Sequence, residues 1–175
     1  MKTTGVVRRI DDLGRIVIPK EIRKTLRIKD GESLEIFLSS DNIVLKKYSP
    51  LEGLQNFYKT YTDSIYSEIG NNVIIVDRDK VVAVSGDLRR KYLDKGISSE
   101  LEKLIESRIV VSSKEKKSIS IVDGLSTNAS YIIAPIITGG DAVGAVIIMS
   151  LDEEIDDFII KTGMIASKFL GKYIE

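Results

Sequence analysis

The sequence predicts an α+β protein in two parts: a small strand-rich unit over residues 1–47, a linker at 48–50, and an antiparallel sheet with helices over 51–175. Three observations carry this. Charge changes sign along a chain that is neutral overall, with 26 basic and 26 acidic residues. Residues 1–29 hold nine basic side chains (Lys2, Arg8, Arg9, Arg15, Lys20, Arg23, Lys24, Arg27, Lys29) against three acids (Asp11, Asp12, Glu21), a net of +6, whereas residues 48–175 hold 15 basic and 19 acidic. Apolar spacing reads as short strands before Tyr48 and as mixed helices and strands after it, and Tyr48-Ser49-Pro50 interrupts both patterns.

In the first part, Gly5–Ile10 reads as a strand, Asp11-Asp12-Leu13-Gly14 as a turn and Arg15–Ile18 as a second strand. Pro19 fixes φ where a helix needs no N–H donor, so Lys20–Leu26 makes about two turns. Ile22 and Leu26, four apart, share one face and leave Arg23, Lys24 and Arg27 to solvent. Asp30-Gly31 turns the chain into strands at Ser33–Leu38 and Ile43–Lys47. So few residues cannot fill a core alone, and hairpins are marginal in water without further strands to cover them. The remedy is a second copy, and an intertwined dimer is expected.

In the second part, Leu51, Leu54, Tyr58, Tyr61 and Ile65 make a helical seam. Strands at Asn72–Val76 and Val81–Ser85 flank a turn, and helices follow at Asp87–Leu93 and Ser98–Val110. Residues 112–129 are polar and weakly periodic, with Ile119–Val122 a candidate strand, and lie where a ligand-binding lid would be. Tyr131–Ile137 and Ala142–Ser150 form a hairpin. Ile155, Phe158, Thr162, Ile165 and Phe169 then repeat the helical seam over 152–173. Both seams are candidate core or assembly surfaces.

Composition narrows the chemistry. With no cysteine and no histidine, disulfides, thiolate or imidazole metal sites, and Ser-His or Cys-His nucleophile pairs are removed. Met1-Lys2-Thr3-Thr4-Gly5 leads into charged residues without a secretory h-region, and Ala142–Met149 is far too short to span a membrane. A cytoplasmic, nucleoid-associated protein without membrane contact, metal or cofactor is expected, and not an enzyme. The basic cluster points instead to a polyanion, since Arg and Lys on rigid elements neutralise phosphates and arginine pairs with guanine edges.

The stretch Thr4-Gly5-Val6-Val7-Arg8-Arg9-Ile10-Asp11-Asp12-Leu13-Gly14-Arg15-Ile16-Val17-Ile18-Pro19-Lys20-Glu21-Ile22-Arg23-Lys24-Thr25-Leu26, with Leu45-Lys46-Lys47-Tyr48, closely resembles the AbrB-type swapped-hairpin DNA-binding domain of bacterial transition-state regulators. That resemblance implies a small β-barrel built by two chains exchanging hairpins on double-stranded DNA. The family's DNA-contacting arginines fall on Arg8, Arg15 and Arg23, and a fourth, often arginine, falls on Lys24, which keeps the charge but loses the planar fork and suits a phosphate. With Arg9 from the charge cluster, the candidate DNA-binding set is Arg8, Arg9, Arg15, Arg23 and Lys24. Element order and the Ala134-Pro135-Ile136 and Gly144-Ala145-Val146-Ile147 stretches resemble a GAF domain, without the residues that mark cyclic-nucleotide binders. The two resemblances together imply a transcription regulator of sporulation-type developmental genes, an activator or repressor. Its second domain joins dimers into a homotetramer and is a candidate sensor for an unidentified small molecule.

Other motifs yield to plainer readings. Asp77-Arg78-Asp79 and Gly139-Gly140-Asp141 read as hairpin turns rather than metal or phosphate sites, and Tyr58, Tyr61 and Tyr66 sit at helical spacing rather than as a base-stacking platform. Asn128-Ala129-Ser130 is a glycosylation sequon without meaning unless secreted. The alternative function is an antitoxin that binds its own operator and neutralises a partner protein, because the same small barrel occurs in antitoxins; their tails, however, are short and disordered before binding.

Overall fold

The computed structural model describes residues 5–175, so Lys2 of the basic cluster and Thr4 of the matching stretch lie outside the described residues. The chain divides between Tyr48 and Ser49 into two compact units.

In the first unit the short helix α1 (Lys20–Thr25) precedes an antiparallel hairpin of β1 (Leu34–Ser39) and β2 (Asn42–Lys47), in register from Leu34 opposite Lys47 to Ser39 opposite Asn42. The strands expected at Gly5–Ile10 and Arg15–Ile18 have no ladder. Their turn is nevertheless closed: Asp11 N donates to Arg15 O and Gly14 N to Asp11 O, each at 3.0 Å, with Gly14 at φ 75. That is the geometry of a three-residue hairpin loop ending in a left-handed glycine. Most apolar side chains are exposed, Val7 at 89% and Leu38 at 84%, and Pro19 is the one buried residue among those described before Tyr48.

The second unit follows the expected order: α2 (Gln55–Ile69), β3 (Asn72–Asp77), β4 (Val81–Ser85), α3 (Arg89–Tyr92), α4 (Ser99–Glu106), β5 (Val111–Val122), β6 (Leu125–Thr138), β7 (Asp141–Ser150) and α5 (Asp157–Tyr173). The sheet is antiparallel with strand order β4-β3-β7-β6-β5. Alternation along β3 explains its unbroken apolar run: Ile74 and Val76 enter a core with Tyr92, Leu101 and Ile105 from α3 and α4, while Val73 and Ile75 enter one with Tyr58 of α2 and Ala166 and Leu170 of α5. Helices therefore cover both faces.

Three local expectations change. Residues 112–129 are not a lid: they form most of the long β5–β6 hairpin, with Ile119 opposite Thr127 and Lys117 opposite Ala129. Their period-2 pattern is hidden because small polar residues, Ser113 and Thr127, occupy inward positions. The helix expected to reach Val110 ends at Glu106, where Arg108 turns to φ 58 and its N–H bonds Ile105 O at 3.0 Å. Leu51 and Leu54 precede α2 rather than lying on it, although Leu51 is buried in the core on that face.

Candidate nucleic-acid interface

The interface candidates lie before the first hairpin turn (Arg8, Arg9), just after it (Arg15) and on α1 (Arg23, Lys24). Asp11 organises the turn with both carboxylate oxygens. Its Oδ1 accepts from Leu13 N at 3.0 Å and Arg15 N at 2.7 Å, and its Oδ2 accepts from Arg15 Nε at 2.8 Å. These bonds hold the Asp11 carboxyl below its ordinary pKa, the Arg15 backbone N–H first and its guanidinium second. The Arg15 side chain stays 71% exposed while anchored at one edge.

On α1, Arg23 N donates to Pro19 O at 3.0 Å and Thr25 Oγ1 to Glu21 O at 2.9 Å. Arg23 and Lys24 fall in the last turn, where cations suit the negative end of the helix dipole. The helix stops as Arg27 adopts φ 52 and Ile28 N reaches back to Arg23 O at 2.8 Å. The chain then presents Asp30 to Arg23, Oδ1 to Nη1 at 2.8 Å. Glu32 accepts from Lys29 N at 2.9 Å and pairs with Lys47 Nζ at 3.5 Å, tying the segment after α1 to the end of β2.

Of the five expected residues, Arg8, Arg9, Arg15 and Lys24 stand exposed and Arg23 is half-buried. Arg15 and Arg23 are each joined to a carboxylate. Sequence reasoning passed over both partners. In sequence Asp11 marks only a turn, and the one signal for its second role is its spacing from Arg15; Asp30, seven residues from Arg23, leaves no periodic trace.

The second unit presents a different surface. The buried side chains of α5, Ile159, Ala166, Ser167 and Leu170, face inward, while Phe158, Ile165 and Phe169 of the expected seam point outward. Four rings bridge α2 and α5 in a closed cycle: Phe57 on Tyr173 at 4.4 Å, Tyr61 on Phe169 at 5.3 Å, and Phe57–Tyr61 and Phe169–Tyr173 at 5.9 Å. On the opposite face Tyr92 is fully buried, its hydroxyl sharing a hydrogen bond with Thr127, and Lys91 Nζ reaches Thr127 Oγ1 at 3.0 Å. Burial raises the Tyr92 phenol above its ordinary pKa. No cluster of acidic side chains suited to a metal occurs among the described residues, and none of their helices is long and apolar enough to cross a membrane.

Comparison with known proteins accords with this geometry. The family described as stage V sporulation protein T C-terminal, transcription factor, matches residues 53–175. The family described as antidote-toxin recognition MazE, bacterial antitoxin, matches residues 7–52. Stage V sporulation protein T of Bacillus subtilis strain 168 is 46% identical over 177 residues, covering 100% of this chain and 99% of that protein. Transition state regulatory protein AbrB of the same organism is 54% identical over 50 residues, 29% of this chain and 52% of its own length. The GAF domain of PixJ from Thermosynechococcus elongatus, in its blue-light-absorbing form, aligns with TM-score 0.56 at 14% identity over 74% of this chain and 89% of its own, which shows the fold. A small AbrB-like unit followed by a GAF-like sheet is therefore the architecture, and the chain belongs to the stage V sporulation protein T family of transcription factors.

Proposed function

We propose that this chain regulates sporulation-type genes by binding double-stranded DNA as an intertwined dimer of its first 47 residues, with Arg8, Arg9, Arg15, Arg23 and Lys24 as the contacting side chains. The observation that carries the reading is the state of the first unit: its apolar side chains are exposed in the single chain, and its cations crowd one turn and one short helix. Covering the apolar surface with a second copy doubles the cations on one body, and each cation set on a phosphate releases counterions. The intact chain carrying Arg8→Ala, Arg15→Ala and Arg23→Ala together is expected to lose sequence-specific DNA binding while remaining folded and assembled. Unchanged affinity would end the proposal.

The finer assembly is a tetramer, in which the outward stripe of α5, with α2 beside it, joins two dimers. Sensing is assigned to the face under α3 and α4. There Tyr92 and its neighbours already fill the space, so an effector acts by displacing them and by favouring one of two arrangements of the assembly. Thermal-shift screening of metabolites against the intact chain tests that role.

The antitoxin reading is favoured by the match over residues 7–52. Against it stands the folded five-stranded second unit, where an antitoxin of this type would carry a short tail. Co-purification of a stoichiometric partner protein from the native host would revive it.

A further inference from the structure

Every arginine in the proposed DNA face has the same formal chemistry, yet the structure does not hold them alike. Asp11 grips Arg15 at a single edge. Oδ2 takes Nε at 2.8 Å, while Oδ1 takes the Arg15 backbone N–H at 2.7 Å and that of Leu13 at 3.0 Å. The bond leaves outside it the two Nη amino groups, the fork that matches a guanine edge. Arg23 is held the other way, by Nη1 on Asp30, which occupies one arm of its fork.

We propose that Asp11 is a positioning residue for specificity: its carboxylate, fixed by the turn, aims the free fork of Arg15 at a base edge and keeps that arginine from settling on a phosphate. The inference rests on the DNA-face reading above. Its physical basis has two parts. A long exposed side chain loses rotamer freedom on binding, and holding it in advance removes part of that cost. A fixed negative charge beside the arginine also repels the nearby phosphates, and such a repulsive element raises discrimination while lowering affinity for any sequence. The turn makes the arrangement rigid, because the oxygen that serves the backbone and the oxygen that serves the guanidinium belong to one carboxylate. Asp11 is ionised throughout the neutral range, since the same bonds lower its pKa.

Asp11→Asn separates the roles. It keeps an oxygen for the Leu13 and Arg15 N–H groups and removes the charge that holds Nε. The intact chain is titrated against a duplex enriched by the wild-type protein from a random-sequence pool, and against a scrambled duplex of the same composition. Affinity for the scrambled duplex is expected to rise, while the ratio of enriched to scrambled affinity falls about 2- to 10-fold per half-site. In an Arg15→Ala background the same substitution is expected to leave the ratio unchanged. A residue that served only the turn would move neither quantity, and a charge that merely repelled DNA would raise both affinities equally. The proposal is overturned if Asp11→Asn keeps the wild-type ratio, or lowers it equally without Arg15. If Arg15→Ala alone keeps the wild-type ratio, the DNA-face reading of Arg15 fails first and this inference falls with it. Should Asp11→Asn not assemble, Asp11→Ser, which keeps a short acceptor for the same N–H groups, carries the comparison.

Discussion

Replacing Ile165 with glutamate tests the tetramer most sharply. Ile165 lies on α5 with 67% of its surface exposed, between Phe158 at 65% and Phe169 at 45%, while the opposite side of the helix is packed on the sheet. The substitution therefore leaves the domain's own core intact. Fully burying an isoleucine side chain contributes about 1.5–3 kcal/mol, and roughly two-thirds of that remains to be gained here, about 1–2 kcal/mol per chain. A two-fold interface uses the residue twice, which gives about 2–4 kcal/mol, or a dissociation constant raised roughly 30- to 700-fold. The desolvation of a new carboxylate adds to this, so the range is a lower bound. Sedimentation velocity of a dilution series, with far-ultraviolet circular dichroism as the control for folding, reads the outcome. The wild-type chain is expected to sediment as a tetramer and Ile165→Glu as a dimer. A folded variant that keeps the wild-type mass at every concentration would refute the outward stripe as the interface.

Two further outcomes concern the second unit. A Cβ at Gly144 would lie 2.1 Å from Val76 O and 2.9 Å from Leu51 Cδ1, so Gly144→Ala should force β7 from β3 and cost about 1–3 kcal/mol or more in urea unfolding, whereas Gly163→Ala, which meets only Ile132 side-chain atoms at 3.0 Å and beyond, should cost far less. Burial raises the pKa of Asp77, against hydrogen bonds from Asp79 N and Lys80 N that lower it. A carboxylate with a raised folded pKa weakens the fold once ionised and ceases to do so as pH falls through that value. Asp77→Asn, which keeps the acceptor for both N–H groups at 2.7 Å, should therefore be at least as stable as wild type at neutral pH, with any advantage shrinking at acid pH in paired melts.

The sequence was most legible where its signal is local. Val81–Ser85 lies where strand spacing and the preceding turn place it, because β4 pairs with the strand just before it. The outward Phe158 and Ile165 were visible as a seam, but spacing alone does not say whether a seam faces a core or another copy. The β5–β6 hairpin was obscured because its inward small polar residues mimic loop composition. The overrun at Arg108 has another cause: a non-glycine residue takes a left-handed conformation where its guanidinium meets Asp141 at 3.2 Å, a contact across many residues. For Gly5–Ile10 and Arg15–Ile18 the apolar pattern was readable, but no ladder joins them in the described chain, and apolar spacing does not say which strand a segment pairs with. In the interface, residue type marked the cations, while the carboxylates that hold two of them emerged only in three dimensions.

The salt dependence of DNA binding by the intact chain tests the central claim most directly. With Arg15 directed to a base edge, four cationic side chains from each of two copies, Arg8, Arg9, Arg23 and Lys24, make on the order of eight phosphate contacts, and at about −0.9 per phosphate the slope of log affinity against log salt is roughly −7. Fluorescence anisotropy across a salt series on the enriched duplex is expected to give a slope near that value, flattened strongly by the Arg8/Arg15/Arg23 triple alanine substitution. A slope near zero, or one that the triple substitution leaves unchanged, would contradict the account.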